Sequence, residues 1–365
     1  MNKDLKFQIA LTFCKGLGHV YNKQLILSLA SAENVWKEKL STIHELTKIP
    51  KKNLQNIGQN ELLDLAEKEI EICLKKKIKI TSFFDDDYPR LLKQCDDAPL
   101  ILYHKGNIDF SSKINVAIVG SRKMTNYGAQ FIQDLITDLE GAPITIVSGL
   151  AYGCDIQAHR MAIDFGLPTW AVLAHHLDKI YPAAHKKDVE KMMDLGGIIS
   201  EYNSINTVLP ENFLQRNRII AGLSQVTILV ESSYSGGALV TAKFANDYNR
   251  EVLALPGKIS DEMSKGNNHL IKTHQAYLIE NAKDLMYHLD LSFDEKKSTV
   301  QTSLFVDLSA EEQQLVEIIK HQNKIHIDDL AHQSNQFTYQ LLPILLELEL
   351  KQIVKPLPGK FFELY

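Results

Sequence analysis

At 365 residues, with 45% apolar and 23% charged side chains, the chain has the composition of an ordinary globular protein and the length for two or three domains. Its formal charge of −5 excludes a uniformly basic coat, so a polyanionic partner has to be met by a local patch and by backbone donors. No run of about 18 uncharged apolar residues occurs, so no membrane span is expected, and the opening MNKDLKFQIALTFCKGLGHV reads as folded protein kept in the cytoplasm.

Residues 1–80 read as a helical domain. Apolar series run through Phe7, Ile9, Ala10 and Phe13, through Leu25, Ile26, Leu29 and Ala30, and from Leu62 to Leu74. Between the first two, KGLGHVYNKQLI has the outline of a helix-hairpin-helix, a Gly-x-Gly turn leading into a helix that carries a lysine. Such a turn suits either a nucleic-acid phosphate or plain helix packing. Residues 81–113 hold an acidic run (Asp85 to Asp87), two prolines and one short apolar strand from Leu100 to Tyr103, and are expected to connect the first domain to the next. The four cysteines, Cys14, Cys73, Cys95 and Cys154, are widely spaced without a CxxC, so reduced buried thiols are expected and no metal site.

From residue 114 to 288 the pattern changes. VAIVG, ITIVSG, PTWAVLA, GGIISE, VTILVESS and REVLALPG are short apolar runs separated by helical stretches. They predict an open parallel α/β sheet of Rossmann-like type, with helices on both faces. Ligands of such sheets sit beyond the carboxyl ends of the strands, where this chain places three loops: Gly120, Ser121, Arg122; Ser148, Gly149, Leu150, Ala151; and Ser235, Gly236, Gly237. Their glycines, hydroxyls and one forked cation suit phosphate oxygens. Neither GxxxxGK[ST] nor GxGxxG is present, which speaks against a P-loop ATPase and a conventional dinucleotide enzyme. Arg216 and Arg218 flank Asn217 two apart, so they do not share a helical face, and Phe213 nearby offers a ring for base stacking. Among Ser148, Asp155, His159, His175 and His176 no spacing designates a nucleophile with a base. Glu201 and Glu231 suit loop amides or the arginines better than acid-base work. Binding without catalysis, and without a cofactor, is therefore expected.

Residues 289–304 read as a polar linker. Residues 305–365 predict three helices and a terminal hairpin around a Pro-Gly turn, a winged-helix-like domain. With 7 Lys/Arg against 12 Asp/Glu, residues 289–365 suit protein contact better than a DNA backbone.

Seven ordered blocks carry a resemblance: AIVGSRKMTNYG (117–128), SGLAYGCDIQAH (148–159), DKIYP (178–182), GGIISE (196–201), FLQRNRIIAGLS (213–224), VESSYSGGALVTAKFA (230–245) and LPGKISDEMSKGNNHLI (255–271). In these the chain resembles the bacterial DNA-processing protein A family, also called Smf. The resemblance implies a cytoplasmic, non-enzymatic protein that binds and protects incoming single-stranded DNA during natural transformation, helps load the RecA recombinase, and forms a homodimer. It places the phosphate grip on Gly120, Ser121 and Arg122, the strand-following segment on Ser148 to Ala151, and the DNA pocket on Arg216, Asn217 and Arg218, preceded by Phe213. The chain has His176 where the family commonly has glycine, and Glu211 stands where basic groups are usual and would repel phosphate. The runner-up reading is a nucleotide-binding or nucleotide-hydrolysing Rossmann-like enzyme, and a third is an interaction scaffold.

Overall fold

The computed structural model describes residues 4–111, 114–291, 308–322, 324–351, 353–357 and 359–364. The chain forms two compact units divided near residue 293. The expected linker, from 292 onward, lies outside the described residues.

The first unit is built on a nine-stranded sheet. Its strands are β1 (Lys79–Ser82), β2 (Ile101–Gly106), β3 (Ile114–Val119), β4 (Ile144–Ser148), β5 (Thr169–Val172), β6 (Gly197–Ser200), β7 (Val226–Leu229), β8 (Glu251–Ala254) and β9 (Tyr277–Leu278), in the order β1-β2-β6-β5-β4-β3-β7-β8-β9. From β6 to β9 every pairing is parallel. Both faces of the central strand are covered, and the two-residue period of a strand sorts its side chains: Val116 and Ile118 enter one core, Ala117 and Val119 the other. The helices Asn126–Asp138, Cys154–Asp164 and Ala282–His288 pack on the first of these faces; Pro210–Leu223 and Ala238–Asp247 pack on the second.

Residues 81–113 do more than connect. β1 and β2 pair antiparallel, and β2 pairs antiparallel with β6, so the segment extends the sheet. The acidic run ends the first strand: Asp85 accepts the Ser82 amide at 2.8 Å and so makes the turn that releases the chain toward β2. A third apolar cluster joins Ile9, Leu25, Ile43 and Ile70 of the N-terminal helices to Tyr103, Ala171 and Ile198 of the sheet, so helices and sheet share one core.

The helix-hairpin-helix outline appears as the helices Leu5–Phe13 and His19–Leu29, with Gly16 at φ +85° in the turn between them. Its lysine does not face outward. Lys23 is buried, donates to the Asp96 carbonyl at 2.8 Å and lies 4.6 Å from the centre of the Phe83 ring. Packing, not phosphate contact, uses this cation.

The second unit holds the helices Ala310–Gln322, Ile327–Ser334 and Thr338–Leu350 with an antiparallel sheet of β10 (Ile325–His326), β12 (Phe361–Leu364) and β11 (Val354–Leu357). This is the expected winged-helix arrangement with one more short strand. Leu341, Leu345 and Leu348 turn into its core, while Leu342, Leu346 and Leu350 stay exposed, so the last helix is apolar on two sides and carries no Lys or Arg.

Candidate nucleic-acid interface

The order of strands decides where a ligand can sit. After β3 the chain builds β4, β5 and β6 to one side, then crosses and builds β7, β8 and β9 to the other, so the loops after β3 and β7 diverge and leave a crevice. A cleft of about 340 Å³ lies there, lined among others by Gly120, Ser121, Arg122, Ala151, Phe213, Arg216, Asn217, Gly236 and Gly237. The crossing element is the helix Pro210–Leu223. Proline at its first position removes a donor that would be orphaned there anyway.

Close packing shapes the loop after β3. A side chain on Gly120 would meet Cys154 Sγ at 2.5 Å, so only glycine lets this turn approach the helix Cys154–Asp164. The Ser121 amide donates to the Glu231 carbonyl at 2.8 Å, and the Ser121 hydroxyl points to Met263 Sδ at 3.4 Å, so both already have partners. Buried Glu231 accepts the Thr125 amide at 2.8 Å and its hydroxyl as well, which ties the loop to β7. Arg122 differs. It is exposed, and among the described residues no carboxylate or carbonyl engages its guanidinium, which lies 6.0 Å from the centre of the Phe213 ring. Phe213 in turn meets exposed Tyr181 edge to face at 5.8 Å. The cleft mouth thus pairs an uncommitted cation with two aromatic rings, the combination that grips a phosphate and stacks a base.

Arg216 forms the floor. It donates to the Gly149 carbonyl at 2.5 Å and to the Val172 carbonyl, closing the ends of β4 and β5, and its Nε donates to Asn217 at 3.2 Å. A side chain on Gly149 would come within 2.6 Å of both Arg216 and Asp155. Burial draws the Arg216 guanidinium down to about 10 although Asp155 opposes this, and burial raises Asp155 although Arg216 opposes that. Desolvation therefore outweighs the mutual attraction on both sides of the pair. Asn217 donates to the Gly237 carbonyl at 3.3 Å. The amides of Gly237 and Ala238, at the start of the helix Ala238–Asp247, have no acceptor among the described residues and add positive potential to the cleft.

Other expected site residues lie elsewhere. Ser148 is fully buried with its hydroxyl on the Ile118 carbonyl at 2.6 Å, and Leu150 is fully buried at φ +60°. Gly149 is covered by Arg216, and Ser235 is exposed but lies off the cleft lining, so of the loop after β4 Ala151 reaches the cleft. Arg218 faces away, as two-residue spacing on a helix requires. It donates to the Asp97 carbonyl at 2.6 Å and pairs with Glu201, which His19 also meets at 2.7 Å. Burial pushes Glu201 up, yet Arg218 and His19 prevail and hold its carboxyl below the ordinary range. The cavity around this group is larger, about 590 Å³, but its cations are matched by acids, which favours the cleft beside Arg122 as the anion site. His159 is fully buried against Thr169, and with Glu201 on Arg218 and Glu231 on Thr125 these groups serve as internal ties. The sequence did not single out Tyr181, which lies in the irregular loop after β5, where there is no periodic signal to read.

No helix among the described residues is long and apolar enough to cross a membrane. The family described as DNA recombination-mediator protein A matches residues 79–290, and the DprA winged helix domain matches residues 304–360. Protein Smf of Synechocystis is 34% identical over 275 residues, covering 74% of this chain and 69% of that one. The DNA processing protein DprA of Streptococcus pneumoniae is 38% identical over 211 residues, 58% of this chain and 74% of that one. An X-ray structure of the Streptococcus pneumoniae protein superposes with a TM-score of 0.63 at 33% identity, over 77% of this chain and 95% of the other. A structure of DNA processing protein A from Helicobacter pylori, concerned with that protein's single-stranded DNA binding mode, gives 0.54 at 29% identity, over 59% of this chain and 98% of the other. With its family match extending across the sheet and a second match on the terminal unit, the chain belongs to the DNA recombination-mediator protein A family, DprA/Smf.

Proposed function

We propose that the chain binds single-stranded DNA in the cleft between the loops after β3 and β7, protects it, and presents it to a RecA-class recombinase during transformation and recombination. The observation that carries this reading is Arg122, exposed, without an ionic partner among the described residues, and set over Phe213. The guanidinium takes a backbone phosphate, the free amides of Gly237 and Ala238 support it, and Phe213 with Tyr181 stacks a base. Gly120, Ser121, Arg216, Asn217 and Gly236 shape the cleft wall and floor, Ser148, Gly149 and Leu150 lie behind them, and Arg218, turned away, anchors the same helix to Asp97 and Glu201. Cytoplasmic location, a homodimer and RecA as partner accompany the proposal, supported by family membership. The exposed apolar side of the terminal helix is consistent with protein contact.

The test is fluorescence anisotropy with strands of increasing length at two salt concentrations. Arg122→Ala should weaken binding about tenfold, as loss of one charge-assisted contact does, and should reduce the slope of log affinity against log salt by about one. Phe213→Ala should cost about 1–3 kcal/mol and leave that slope unchanged, because a ring releases no counterion. Equal affinity for a mononucleotide and for long strands would refute the reading. Light scattering tests the dimer, and capture of RecA on DNA-bound protein tests the partner.

A further inference from the structure

Outside the lining of the cleft, three chemically distinct side chains converge inside the first unit. The helix Asn60–Lys75 carries Glu69 and Cys73 four residues apart, on one face, both buried. The loop after β5 lays His176 against them, also buried. His176 Nε2 stands 3.4 Å from Glu69 Oε1, and Cys73 Sγ stands 3.8 Å from the same oxygen. Donors about 2.0–2.3 Å from a common tetrahedral centre are separated from one another by roughly 3.3–3.7 Å, close to the two distances from Glu69, and all three ligand atoms lie within 4.8 Å of one another.

The surroundings match as well. The other imidazole nitrogen, Nδ1, faces Asp178 Oδ1 at 3.1 Å, and Asp178 is steadied by Lys76 at 3.3 Å. A carboxylate behind a ligating imidazole fixes its orientation and raises its basicity. Buried polar atoms are nearly always paired, yet neither nitrogen of His176 makes a well-directed hydrogen bond. The buried Tyr103 hydroxyl, whose ring lies 5.9 Å from the imidazole, has no partner either. Packing among apolar neighbours does not explain such a group of orphaned polar atoms.

We propose that Glu69, Cys73 and His176 form a site for a tetrahedral transition-metal ion of the zinc class, oriented by Asp178 and completed by a water or by the Tyr103 hydroxyl. One thiolate, one imidazole and one carboxylate suit zinc, whereas calcium and magnesium take oxygen ligands. The ion clips the N-terminal helices to the sheet. Its reach extends further, because Glu69 Oε2 accepts the Ser204 amide at 3.0 Å and its hydroxyl, and Ser204 begins the loop that leads into the helix carrying Phe213.

The test uses the full chain, stripped with chelator and titrated with cobalt(II) and then zinc. The expected result is a thiolate-to-cobalt charge-transfer band, one zinc per chain retained through gel filtration, and a higher thermal midpoint with zinc. Cys73→Ser should lose the band and the zinc-dependent shift. Asp178→Asn, which leaves all three ligands in place, should fold normally by circular dichroism and bind cobalt about 10–100-fold more weakly. A folded wild-type chain that gives no thiolate band and retains no zinc overturns the proposal, and leaves His176 as an imidazole wedged between two carboxylates. Unchanged cobalt affinity in folded Asp178→Asn overturns the oriented-imidazole arrangement.

Discussion

Replacing Arg216 with Leu is expected to lower the unfolding free energy by about 3–5 kcal/mol, the cost of leaving a nearby buried carboxylate and two carbonyls uncompensated. The stranded groups are specific. Asp155 stays within the fold with one fewer charge to oppose its burial, and the carbonyls of Gly149 and Val172 lose their donor at the ends of β4 and β5. Because burial outweighs attraction for both members, the pair itself is not the source of stability. Removing both, as in Arg216→Met with Asp155→Leu, should therefore recover the part of the loss that comes from Asp155, while the carbonyls of Gly149 and Val172 stay without their donor. Urea unfolding of the two singles and the double, read as a thermodynamic cycle, checks this. A loss below about 1 kcal/mol in Arg216→Leu would remove it from the role of structural floor. Arg122→Ala, at an exposed site, should leave the midpoint unchanged while weakening DNA binding, which separates grip from foundation.

The second large effect is acid sensitivity from two buried histidines. Burial lowers His104 to about 4, with nearby Lys79 acting in the same direction. Burial lowers His159 to about 3, with His185 and Arg216 adding to it and Asp188 opposing. The Thr169 hydroxyl donates to the Ile146 carbonyl at 3.0 Å, so His159 Nδ1 must donate to Thr169, which leaves Nε2 bare and buried. Both folded-state values lie below the unfolded value of about 6.5, so the unfolded chain binds the extra protons and stability falls with falling pH. Their contribution is complete above about 6.5 and is lost as the pH drops toward 4, together on the order of 5 kcal/mol. Denaturant unfolding from pH 7.5 to 4.5 should show a slope approaching two protons in the lower half of that range. His159→Gln should reduce it toward one, and an unaltered slope would contradict the assignment.

Much of the fold was legible because parallel strands buried on both faces leave uninterrupted apolar runs. Each run from VAIVG to REVLALPG became a strand of the sheet. β1 escaped, and the expected strand at Leu100 to Tyr103, which became β2, was not read as part of the sheet, because their pairing lies at its edge and an acidic turn and two prolines gave the segment between them the composition of a connector. β9, two residues long, has no period to read. At the cleft, the loop after β3 and the Phe213 helix were visible from local chemistry. A cation's freedom was not, since Arg122 and Arg218 look alike in one dimension and differ only in whether an acid such as Glu201 reaches them. The role of Lys23 was left open between phosphate contact and packing for the same reason, since it is set by Asp96 and Phe83 from another part of the chain. The cluster of Glu69, Cys73 and His176 was hidden because no spacing rule spans a hundred residues.

The strand order also governs how the molecule emerges from the ribosome. β3, at the middle of the sheet, can pair with β4 soon after synthesis, but its other edge waits for β7, with Val116 meeting Val226. β2 likewise waits for β6, with Gly106 meeting Gly197. During that interval the nascent chain presents apolar, unpaired edges, the features that invite association between chains. The N-terminal helices and the hairpin-like pair β1–β2 can form early, so during translation they are the part of the chain able to shield the growing sheet until the crossing helix and β7 close it.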